Sequence, residues 1–141
     1  MQRRFRLAAV ERLRSAALDA AVSRLGAAQR DVVDAVAQHA ALGGELASCV
    51  PPAVSTRDGV LAASWRRDQL RDELLLAAGR IEQARSELEA ATAGWQSARA
   101  DLRAVELLHE RHRAAVAAQD ARSEQRTLDD LAGTVRTGGT R

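Results

Sequence analysis

Residues 70 to 105 read LRDELLLAAGRIEQARSELEAATAGWQSARADLRAV, and their spacing decides the fold. Apolar residues recur at alternating intervals of four and three, through Leu74, Ala77, Ile81, Ala84, Leu88, Ala91, Trp95, Ala98, Leu102 and Val105. That interval marks one face of a helix held in a seven-residue repeat. The same rhythm runs earlier through Leu18, Ala21, Leu25, Ala28, Val32, Ala35, His39, Leu42, Leu46 and Cys49. In both seams bulky residues alternate with alanine, which lets two helix axes approach towards the short end of the usual ~8–10 Å. A seven-residue repeat sustained this long predicts a left-handed supercoil.

Between the seams stand Pro51 and Pro52. Proline lacks a backbone donor and constrains its predecessor, so it ends the first helix. Ser55, Thr56 and Asp58 are candidate N-caps for the second. Helix one is expected over 4–49, a linker over 50–58, helix two over 59–133 and a disordered tail over 134–141. A linker this short makes the helices antiparallel. The expectation is an all-α fold of one domain over residues 1–141: an antiparallel coiled-coil hairpin whose second helix is longer and overhangs. At 1.5 Å per residue the helices span about 70 and 110 Å, so helix one runs out opposite Leu102 to Val105. The apolar seam stops there too. Carried further, its register lands on His109, His112, Val116, Gln119, Ser123, Arg126 and Asp130.

Composition agrees with a coiled coil. Aromatic residues make up 2% of the 141, too few to seed a globular core. All 21 basic residues are arginine, a bias that GC-rich coding also produces. The net charge is only +2; the pI of 9.8 arises because nothing titrates between His and Arg except Cys49. Arg3, Arg4, Arg6, Arg12 and Arg14 against Glu11 form the one local basic excess. A single cysteine cannot form an intramolecular disulfide and suits a reducing compartment. No run reaches the roughly 18 apolar residues of a membrane span, nor the core of a signal peptide.

Catalytic patterns are missing. His109 and His112 share a helix face at a spacing that could hold a metal, but no third ligand accompanies them in sequence. Glu124, Asp129 and Asp130 cluster without a pocket-forming fold around them. Gly43-Gly44 follows no strand and precedes no Lys, so it is not a phosphate loop. Nucleic-acid binding would call for a basic stripe with interleaved aromatics, whereas acids alternate with the arginines here. The expectation is a non-enzyme with no cofactor, no metal, no nucleic acid and no small-molecule substrate.

Residues 95 to 132, WQSARADLRAVELLHERHRAAVAAQDARSEQRTLDDLA, carry a further signal. Trp95, Leu102, Leu108, Glu110 and Arg111, followed by Arg122, Gln125, Leu128, Asp129, Asp130 and Ala132, resemble the C-terminal signature of the FliJ family of flagellar export proteins. That family is itself similar to the YscO-type proteins of injectisomes. The opening RFRLAAVERLR, with Phe5, Leu7, Val10 and Leu13, resembles the family's start. The resemblance implies a cytoplasmic stalk-like coiled coil, peripheral on the cytoplasmic face of the inner membrane and monomeric when free. It implies binding to, and stimulation of, a hexameric export ATPase, and links to the export gate membrane protein and to export chaperones. The implied ATPase-binding residues are Arg111, Arg113, Arg122, Glu124, Gln125, Arg126, Asp129 and Asp130; the implied gate contacts are Gln38 and Leu42. Glu45 and Cys49 stand where the family pattern expects aromatics near the gate face. The alternatives are a self-associating structural coiled coil and, behind it, a basic coiled coil that binds nucleic acid.

Overall fold

The computed structural model describes residues 7–50 and 56–137, with side chains to residue 132. The described residues form two helices: α1, Ala8–Ser48, and α2, Arg57–Thr137. With 41 and 81 residues they extend about 60 and 120 Å. The fold is an all-α antiparallel hairpin.

The helix ends follow from local chemistry. Leu7 is a turn residue whose carbonyl accepts the Glu11 amide at 2.9 Å, and α1 is described from Ala8; the expected start near Arg4 lies outside the described residues. Glu11 in the first turn has the favourable sign against the positive end of the helix dipole. Arg3, Arg4, Phe5, Arg6, Pro51, Pro52 and Ser55 lie outside the described residues. At the far end, the Cys49 amide is shared between the carbonyls of Glu45 at 3.0 Å and Leu46 at 3.3 Å. Among the cap candidates within the described residues, Thr56 holds the position. Its Oγ1 accepts the Gly59 amide at 3.3 Å and its carbonyl accepts the Val60 amide at 3.1 Å. Helix α2 therefore begins at Arg57, two residues before the expected start, with Asp58 in its first turn. It also continues to Thr137 through part of the expected tail. Thr134, Val135 and Thr137 each cost only up to about 0.7 kcal/mol of helix propensity, too little to stop a helix already running.

The chain divides into two compact units. One is Leu18–Ala98 and the other combines Met1–Ala17 with Arg99–Arg141. In the first, every expected seam position is buried or half-buried. Leu70 is 1% and Ala77 2% exposed, with Ala21, Ala28 and Ala84 also buried. These four alanines are deeper than most bulky seam residues, since Leu25, Val32, Leu74, Ile81 and Leu88 are only half-buried, as are Ala35, Ala91 and Ala98. A two-helix fold has no third layer, so the ends of long side chains stay at its edge while alanines sit between the backbones. Near the linker, Arg66 reaches Glu45 across the hairpin at 2.9 Å and Glu73 along its own helix at 3.6 Å. The Cys49 thiol lies 3.9 Å from the Ala63 carbonyl.

In the second unit, Arg14 pairs with Asp101 at 2.8 Å, and Glu11 meets His109 at 2.9 Å. As the chain index falls along α1, the partner index rises along α2, as antiparallel helices require. The seam does not end at Val105. His109, His112 and Val116 remain half-buried, and from Ala117 to Ala132 every residue is exposed. The overhang thus begins about three turns later than apolar spacing and helix length together indicate. A histidine with a carboxylate opposite can occupy a seam position, and a pattern of apolar residues does not register it.

Candidate interaction surfaces

The exposed end of α2 carries nearly all the family-implied ATPase contacts. Arg111 and Arg113 lie where the seam fades; Arg122, Glu124, Gln125, Arg126, Asp129 and Asp130 lie beyond it, and all are exposed. Gln125 Nε2 donates to Asp129 Oδ1 at 2.9 Å, one turn apart. Among the described residues no side chain pairs with Arg111 or Arg122. Arg103, just before this region, differs. Its Nη1 is 3.3 Å from both Glu106 Oε2 and Glu110 Oε1, and the hydrogen bond to Glu106, reinforced by Glu110, raises its pKa above the ordinary arginine value. Glu106 and Glu110 are therefore occupied within the helix, while the arginines further along remain available.

A second surface lies in the unit Leu18–Ala98. Gln38, Ala41 and Leu42 of α1 and Glu73, Leu76 and Arg80 of α2 line an open groove of about 390 Å³. The structure thus brings the two implied gate residues together on one wall. The opposite wall escaped sequence reasoning, because cross-helix neighbours depend on the pairing register. One signal was available: Leu75 and Leu76 fall outside the seam, and they are 73% and 65% exposed. Trp65 and Leu61 add exposed apolar area on the same helix. Glu45 is engaged by Arg66.

His109 and His112 take part in the seam, with Glu11 as the partner of His109. Among the described residues no group of three or more His, Cys, Asp or Glu is placed to hold a metal ion. No helix among the described residues is long and apolar enough to cross a membrane.

The fold and these surfaces define a class: a two-helix antiparallel coiled coil with open grooves and a long charged helical end. The chain belongs to the FliJ family, whose model, described as "Flagellar FliJ protein", matches residues 2–135. It is thus a member of a family of flagellar export components, structural export proteins and not enzymes by type. No curated protein and no solved structure matches the chain.

Proposed function

We propose that this chain is an adaptor of the flagellar export apparatus that binds and stimulates the hexameric export ATPase through the exposed end of α2. The observation that carries this reading is the unbroken helix from Ala117 to Ala132, exposed at every residue. A long helix with no face buried in its own fold is available to a partner. Charged contacts at a ring lining would set orientation and on-rate more than affinity, which suits a stalk inside a ring. In the same reading the Gln38–Leu42–Leu76 groove contacts the export gate membrane protein, and the molecule helps export chaperones to cycle. Its place is then the cytoplasm, peripheral to the inner membrane.

The test is ATPase stimulation by purified chain. Arg122→Glu and Asp129→Arg each lower stimulation without changing helicity by circular dichroism; unchanged stimulation by both variants at full helicity would remove the role of the overhang. The rival reading, a self-associating coiled-coil module, draws support from Leu128 and Leu131, 60% and 59% exposed at the free end. Sedimentation at low micromolar concentration separates the two. A monomer supports the adaptor, and an obligate dimer that loses helicity on dilution supports the module.

A further inference from the structure

Helix α2 carries a second stripe in the unit that contains its free end. Beginning at Ala104, the four-and-three spacing recurs through Leu108, Arg111, Ala115, Ala118 and Arg122, and continues to Gln125 and Asp129. Each position precedes a seam position by one residue, so the stripe lies about 100° round the helix from the seam. All of these residues are exposed, and Leu108 is 45% exposed. One face of α2 thus meets α1 while its neighbour repeats the same rhythm and is exposed at each position. The stripe also sorts the residues of the charged end: Arg111, Arg122, Gln125 and Asp129 fall on it, whereas Arg113 and Glu124 point to the far side.

We infer that this stripe is the face on which the ATPase docks, and that its occupant is an amphipathic helix with a carboxylate at either end of an apolar stretch. The inference rests on the function proposed above and names the chemistry of its partner. Arg111 and Arg122 have no partner among the described residues, and Ala115 and Ala118 between them leave room for a helix to approach closely. The arginines are eleven positions apart, so the partner's carboxylates stand about 16 Å apart. Arginine forms planar two-point bonds with carboxylates, which fixes the register of such a helix. A second copy of this chain fits poorly. Packed antiparallel about Ala115 and Ala118, it would set Arg111 against Arg122; packed parallel, it would set each arginine against itself.

The experiment titrates the full-length chain into the purified export ATPase of the same cell at moderate salt, and follows the free chain by sedimentation. Five forms are compared: wild type, the on-stripe pair Arg111→Glu with Arg122→Glu, the off-stripe pair Ala117→Arg with Thr127→Glu at exposed positions outside the implied contacts, all four changes combined, and a charge-removing on-stripe pair. The on-stripe pair is expected to weaken binding by at least about tenfold, as loss of an arginine-centred contact does. The off-stripe pair is expected to change it by less than about twofold. Arg111→Gln with Arg122→Gln, which removes charge without reversing it, weakens binding in the same direction and covers any loss of helicity in the reversed pair. Equal weakening by the on-stripe and off-stripe pairs overturns the stripe but leaves the proposed function standing. Full binding by the combined variant, or none by wild type, overturns both. Concentration-dependent dimers that the on-stripe pair alters make a second copy the occupant and overturn the partner named here.

Discussion

Leu70 and Gly79, nine residues apart on α2, show what individual residues contribute to this hairpin. The Leu70 side chain is 1% exposed, the most fully buried large side chain described. Leu70→Ala removes that burial and leaves a cavity that two helices close only partly, so it costs about 2–5 kcal/mol. Urea unfolding followed by circular dichroism reads the loss as a lower midpoint. Gly79 is the opposite case. A Cβ there would meet nothing within 4 Å, and its φ lies outside the left-handed region. Gly79→Ala therefore gains up to about 1 kcal/mol of helix propensity without a steric cost, seen as a raised thermal midpoint. The exposed ion pairs rank lower: Arg71 with Asp68 and Arg85 with Glu82 are worth about 0–0.5 kcal/mol each.

At the scale of the element, α2 has a covered part and an exposed one. Up to Val116 it has a covered face; from Ala117 to Ala132 every residue is exposed, and propensity and local bonds such as Gln125 to Asp129 support the helix. Isolated helix of this length is marginal in water. Ala118→Gly combined with Ala121→Gly costs about 1 kcal/mol each in local helix stability. Amide exchange should accelerate across 117–132, ATPase stimulation should fall, and the main unfolding midpoint should not move. The boundaries of α2 were only partly legible beforehand. Ser55, Thr56 and Asp58 have equal claims as caps by type, and the bond from the Gly59 amide assigns Thr56. His109 and His112 lie in register, yet only the approach of Glu11 shows that the covered seam runs past Val105.

For the whole molecule, the two candidate surfaces belong to different compact units. That division predicts separable defects. Leu42→Glu puts a charge into the groove shared with Leu76 without touching the charged end of α2. Purified Leu42→Glu should stimulate the ATPase normally, while cells carrying it should swim less because the gate contact fails. A loss of stimulation equal to that of Arg122→Glu would show that the surfaces do not act separately. Seam positions could be read from the sequence because a helix face has a fixed period, and every expected position up to Val105 is at least half-buried. The far wall of the groove could not, because Glu73, Leu76 and Arg80 come to lie beside Gln38 only through the stagger of one helix against the other.

The sequence by itself determined that there are two helices, which face of each is covered, that they run antiparallel, and that the second continues beyond its apolar seam. All of these follow from periodicity, proline placement and linker length, which act along the chain. The family signature, too, is written in consecutive residues. Tertiary structure alone decided where the overhang starts, which residues form the groove, and which arginines lack a partner. Those depend on contacts between residues distant in sequence, where a single polar contact such as Glu11 with His109 can extend a seam that the apolar pattern had already abandoned.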